Sequence, residues 1–137
     1  MNKLITYTDG GSRNNPGPAA CGIVIQDAKG EIICTFAKYI GTATNNQAEY
    51  GALILALEKA KELLKNGGEV ACHLDSELVV KQLKREYKVK DEKMKELFAR
   101  VCKLCLDFDK VEFVHVRREK NKLADKLVNE ELDRQGF

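Results

Sequence analysis

Residues 4–18 read LITYTDGGSRNNPGP, and the fold follows from how that stretch is divided. Its first half alternates apolar and polar side chains, the pattern of a strand with one buried face. Side chains alternate along a strand, so Ile5, Tyr7 and Asp9 share one face. After Asp9 come three glycines, two prolines and two asparagines, a composition that predicts a turn starting at Gly10. An acid at the C-terminal end of a strand, beside backbone free of bulky side chains, is placed to hold a metal ion against a phosphate. The rest of the chain can be searched for the partners of Asp9.

Two further strands are expected at residues 19–27 and 31–40, joined by a turn at Ala28-Lys29-Gly30. That is a meander signal, so strands 1 to 3 are expected to be antiparallel neighbours. Residues 42–46 supply a polar loop in which Thr44, Asn45 or Asn46 can cap a helix over residues 47–65, closed by Asn66-Gly67-Gly68. A short strand at 69–74 stops on Asp75-Ser76, and either residue can cap the next helix, residues 77–85. A polar, basic connection at 84–93 leads to helical spacing from Met94 to Cys105. A fifth strand is expected at 111–116, a charged loop at 117–121, a last helix at 122–134 and a frayed end at Gly136-Phe137. Three meander strands followed by alternating helices and strands give an α/β protein, a five-stranded mixed sheet flanked by helices. With no repeat or linker, residues 1–137 are expected to form a single domain.

Composition narrows the function. No apolar run approaches the ~20 residues of a membrane helix, and the first residues lack the apolar core and cleavage site of a secretory signal. A cytoplasmic monomer is the expectation. The five cysteines are an odd, scattered set and read as reduced thiols. Residues 81–122 hold 14 Lys and Arg against 8 Asp and Glu, and the remainder 9 against 13. That asymmetry suits a chain that gathers acids around cations and offers a basic surface to a polyanion.

Four acids stand at the ends of expected elements. Asp9 and Asp75 close strands; Glu49 and Asp125 sit in the first turns of helices. Each has an ordinary explanation, as a turn residue, an N-cap or a complement to a helix dipole. Together they fall at one edge of the sheet, the edge where ligands bind in open α/β folds. Four carboxylates crowded there would repel one another and acquire raised pKa values. Two Mg²⁺ ions would relieve the repulsion and provide a two-metal site for in-line attack on a phosphodiester.

Four blocks carry a resemblance: YTDGGSRNNPGPAACG at 7–22, TNNQAEYGALILAL at 44–57, DSELVVKQL at 75–83 and HVRREKNKLADKLVN at 115–129. In order and spacing they resemble the ribonuclease H type 1 family. The resemblance implies a ribonuclease H-like fold and hydrolysis of the RNA strand of an RNA–DNA hybrid, dependent on Mg²⁺ or Mn²⁺. It makes Asp9, Glu49, Asp75 and Asp125 the metal-binding catalytic acids, with Asp9 bridging two ions, and the products 5′-phosphate and 3′-hydroxyl ends. It places Gly10, Gly11 and Ser12 where backbone approaches the RNA, and Asn46 and Gln47 in the minor groove, where 2′-hydroxyls mark RNA. Thr44 and Asn15 match a pocket for a DNA-strand phosphate.

Two features depart from that pattern. The 84–93 connection is too short for the basic, Trp-containing protrusion of many bacterial members, and the chain has no Trp. The mobile loop histidine before the last acid is missing too: His115 falls in a strand, leaving Arg118 or Lys120 as substitutes. Cys102 and Cys105 form a CxxC within a helix, without a second pair, and read as packing residues. His73 reads as a strand residue, and Asp107 and Asp109 as turn formers. The competing functions are a binding module of the same fold and a nuclease of different preference, such as one that also cuts double-stranded RNA.

Overall fold

The structure is a computed structural model and describes residues 1–65 and 67–137. Its elements are β1 (Lys3–Ser12), β2 (Gly17–Asp27), β3 (Ile32–Ala43), α1 (Asn45–Leu64), β4 (Glu69–Leu74), α2 (Glu77–Leu83), α3 (Glu92–Cys105), β5 (Lys110–His115) and α4 (Lys122–Arg134). One turn of 3₁₀ helix, Arg118–Lys120, precedes α4. The five strands lie in the order β3-β2-β1-β4-β5. β1, β2 and β3 are antiparallel, whereas β4 and β5 run parallel to β1. This is the expected mixed sheet, with β1 at its centre.

The main core lies between one face of the sheet and α1, α2 and α3. Leu4, Ile23, Ile25, Val70, Cys72 and Leu74 meet Leu53, Leu57, Val79 and Val101 there. On the other face α4 packs over β1, β2 and β3, with Val128 and Leu132 on Ala20 and Tyr39. Glycine lets both helices come close. A Cβ on Gly10 would stand 2.1 Å from the Ala48 carbonyl oxygen on α1, and one on Gly22 would stand 2.3 Å from that of Ala124 on α4. Gly22 pairs with Asp9 across β1 and β2, so the two contacts pin helices on either side of the acid.

Several boundaries differ from expectation. Residues 10–12 are not turn: β1 runs on to Ser12 and β2 begins at Gly17, and Gly10 serves the close approach of α1 rather than chain reversal. The reversal is confined to residues 13–16, where Asn14 takes a φ of 66° and the Asn15–Pro16 peptide is cis. Likewise β3 continues to Ala43, so the polar loop shrinks to Thr44, the N-cap of α1. α1 therefore starts at Asn45, and its first turn holds no acid; Glu49 lies just beyond, where a dipole role does not account for it. α3 begins two residues earlier than its apolar spacing suggests, because Asp91 caps it. Asn66, expected to help end α1, lies outside the described residues.

The chain end is not frayed. The Phe137 ring stacks on Tyr39 at 5.6 Å, and its carbonyl accepts a hydrogen bond from the Arg13 guanidinium. Asp109 and Asp107 are turn and surface groups as expected: Asp109 accepts from the Gly68 amide, and Asp107 pairs with Lys61. Cys102 and Cys105 sit half-buried on α3, and burial pushes the Cys105 thiol up to about 11. His73 stacks on Tyr7 across β1 and β4 at 4.6 Å. Among the described residues, no helix is long and apolar enough to cross a membrane.

Candidate active site

An open cleft of about 380 Å³ lies where β1 and β4 end and α1, α2 and α4 begin, with Asp9, Glu49, Asp75 and Asp125 in its wall. Each acid reaches it for a local reason. Asp9 is carried by β1, clamped between Gly10 against α1 and Gly22 against α4. Glu49 follows Ala48, the residue that touches Gly10, and its Oε1 accepts from the Gly10 amide at 2.8 Å. Asp75 leaves β4, and the cap of α2 is supplied instead by Ser76, whose side chain accepts from the Val79 amide. The sequence left that capping role open between the two; the structure frees the Asp75 carboxylate. Asp125 is exposed in the first turn of α4, next to Asn129.

Carboxylate oxygens of Asp9, Glu49 and Asp75 lie within 4.8 Å of one another. Glu49 is 5% exposed and Asp9 8%. Among the described residues, Glu49 Oε2 is buried with no hydrogen-bond partner. Burial pushes Asp9 up to about 7, with the neighbouring Asp75 and Asp125 adding to the rise. Glu49 is raised well above its ordinary value, first by burial and then by the Asp9 carboxyl close beside it. Buried acids without a basic partner, one oxygen unsatisfied, are the electrostatic signature of a site built for a cation. An all-oxygen donor set of this kind suits a hard divalent ion.

The other expected site residues divide into two groups. Gly10, Gly11, Ser12 and Asn46 line the cleft. Thr44, Gln47 and Asn15 lie beside it in a network: Thr44 and Gln47 form a reciprocal capping box, and Asn15 Oδ1 accepts from the Asn45 amide. Thr44 was one of three candidate caps and is the one used.

Six lining residues were not among the expected site residues: Arg13, Asn45, Ser76, Val128, Asn129 and Leu132. Asn45 Oδ1 accepts from both the amide and the hydroxyl of Ser12, fixing the turn side of the cleft. Arg13 points a cation at the cleft, yet it is spent on α4, pairing with Asp133 at 2.8 Å and donating to the Asn129 carbonyl. Its place beside a glycine turn gave no sequence signal of that partner 120 residues away. Asn121, expected to lie in a charged loop, is instead 2% exposed and donates to the Thr8 carbonyl and to Asp75. Its spacing of four residues before Asp125 was the available signal. His115 ends β5 and is exposed. Arg118 lines the cleft, whereas Lys120 faces a separate hollow with Tyr7 and Leu123.

Comparison with known proteins places this geometry among relatives. Residues 7–131 match the family model described as "Reverse transcriptase-like". The chain is 43% identical to the ribonuclease HI of Halobacterium salinarum, over 96% of its own length and 65% of that protein's. It is 39% identical to the bifunctional protein Rv2228c of Mycobacterium tuberculosis, over 96% of this chain and 36% of that one. The chain thus spans less than two thirds of these relatives. Among solved structures, RNase H1 from Halobacterium salinarum superposes with a TM-score of 0.91 at 42% identity, covering 96% of this chain and 98% of that one. LC11-RNase H1, crystallised in complex with RNA/DNA hybrid, superposes with a TM-score of 0.93 at 46% identity and the same coverage.

Proposed function

The chain belongs to the ribonuclease H type 1 family, and from that premise we propose that it is an endonuclease cutting the RNA strand of RNA–DNA hybrids. The observation that carries this reading is the buried, unbalanced cluster of Asp9, Glu49 and Asp75, with Asp125 at its rim. Mg²⁺ or Mn²⁺, two ions per site, would be held by these four carboxylates. When bound, such ions activate water and neutralise charge on the phosphate.

The reaction adds water to phosphorus and breaks the bond to the 3′ oxygen, leaving a 3′-hydroxyl and a 5′-phosphate. The chain's own residues prepare the site. The Gly10 amide holds Glu49 in one orientation. Gly10, Gly11 and Ser12 present bare backbone and a hydroxyl to the RNA sugar edge, while Asn46 lines the same wall. With Gln47, Thr44 and Asn15 beside them, these groups suit recognition by sugar and phosphate rather than by base edge. Arg118 contributes a cation to the wall of the cleft, where it would offset negative charge that develops on the phosphate. In place of a basic protrusion, the chain offers Lys81 over the Tyr87 ring at 5.0 Å and Arg85 over the Phe98 ring at 5.7 Å.

The test is a labelled RNA–DNA hybrid incubated with Mg²⁺, with Asp9→Asn as control. Cleavage of the RNA strand by the wild type and its loss in the variant are expected. An intact hybrid, or equal cutting of double-stranded RNA, would overturn the reading.

A further inference from the structure

Asn121 occupies the N-cap position of α4, yet its side chain makes no capping hydrogen bond. Asparagine at that position ordinarily accepts from the next turn's amides and so stabilises the helix start. Here the side chain turns into the sheet instead. Its Nδ2 donates to the Thr8 carbonyl at 2.8 Å and to Asp75 Oδ2 at 3.1 Å. Both partners are acceptors, so chemistry fixes which end of the amide points there. The other end, Oδ1, is buried with no partner among the described residues, an arrangement that costs stability because the acceptor has lost water and gained nothing. A residue that forgoes its cap and leaves an acceptor unsatisfied is not there for helix stability.

Its position explains the cost. Thr8 directly precedes Asp9 on β1, and Asp75 directly follows Leu74, the last residue of β4. The Asn121 carbonyl accepts from the Asp125 amide at 3.1 Å. One residue therefore touches the segments that carry three of the four acids. We propose that Asn121 is a positioning residue that orients the Asp75 carboxylate for divalent-ion binding and sets its distance from Asp9 and Asp125. Donation to Oδ2 fixes one oxygen of Asp75 and leaves Oδ1 without a bond from Asn121. An aspartate in its place would bring a fifth carboxylate against two acceptors. This inference rests on the metal-dependent reading of the site.

The test is Mn²⁺ binding by calorimetry, without nucleic acid, to the wild type, Asp9→Asn and Asn121→Asp, each checked by thermal melting. Asn121→Asp is expected to weaken Mn²⁺ binding about tenfold to a hundredfold, the usual effect of removing a hydrogen bond to a ligand. In cleavage assays it should lower kcat and raise the Mg²⁺ requirement, with KM for the hybrid little changed. A folded Asn121→Asp that binds Mn²⁺ like the wild type would make the residue a structural tie and overturn the inference alone. A wild type that takes up no Mn²⁺ would overturn the metal reading itself, and this inference with it. Should the variant not fold, the side-chain amide resonances of Asn121 in wild-type protein decide the matter: they should shift on addition of Mg²⁺, and unmoved resonances would overturn the proposal.

Discussion

The two sides of the sheet build their shares of the acid cluster in opposite ways. On the α1 side, Glu49 is fixed by backbone: Gly10 lies against Ala48, its amide holds the carboxylate, and a large apolar core stands behind both. On the α4 side, Asp125 is exposed on a helix whose apolar contact with the sheet centres on Ala20, Val128 and Leu132. Polar ties do the remaining work there, through Asn121 and through Arg13 to Asp133, Asn129 and Phe137. The buried side carries the electrostatic strain and the exposed side the adjustable part. A hybrid duplex is too large to enclose, so a site with one rigid wall and one exposed helix suits it.

The sharpest way to break this comparison is at its strained end. Asp9→Asn should lower cleavage by about a thousandfold or more, since it removes several kcal/mol of transition-state stabilisation. The same change should make the metal-free protein more stable. Asp9 is raised from 3.8 to about 7 in the folded state. The native protein thus retains a proton that the unfolded chain has released, and stability falls as pH rises through that window. Denaturant melts from pH 4 to 8 should show that decline in the wild type and a flatter profile in Asp9→Asn, with a gain of about 2 kcal/mol at pH 8. Mg²⁺ should restore much of the loss at pH 8 in the wild type and little in the variant.

The glycines test the packing side of the comparison. Gly10→Ala forces a methyl into the Ala48 carbonyl and, with a full core behind it, should cost about 3 kcal/mol or more. Gly22→Ala pushes on α4, which has a smaller apolar contact and can shift outward, so about 1–2 kcal/mol is expected. Equal losses in the two variants, measured by chemical denaturation, would show that α4 is as firmly seated as α1.

The same contrast governs how much could be read from the sequence. The acids, the strand order at the meander and the apolar faces are local patterns, and they were legible. So was Thr44 as one of three caps. What failed were features set by distant contacts. Gly10 and Gly11 read as turn because glycine favours turns, while the close approach of α1 that keeps Gly10 in a strand lies about 40 residues away in sequence. The chain end read as frayed because nothing nearby reveals that Arg13 and Tyr39 hold Phe137. Asn121 looked like loop because a buried amide's partners, Thr8 and Asp75, come from other strands.

The smallest effect is expected at the exposed wall. Arg118 lies in the 3₁₀ turn ahead of α4 and lines the cleft, while Lys120, two residues on, faces the hollow around Tyr7. If Arg118 stands in for the family's loop histidine, its cation acts on charge that develops late, at the rim, in full contact with water. Screening limits such a contribution to about 1 kcal/mol, or roughly fivefold in rate. Arg118→Ala should therefore lower kcat by about that factor, leave Mn²⁺ affinity unchanged and narrow the difference from wild type as salt is raised. Lys120→Ala should leave turnover as it was. The pair separates a rim cation that meets the substrate from general positive charge near the site: equal losses from both changes would assign the effect to net charge, and no loss from either would leave the exposed wall with Asp125 as its working group.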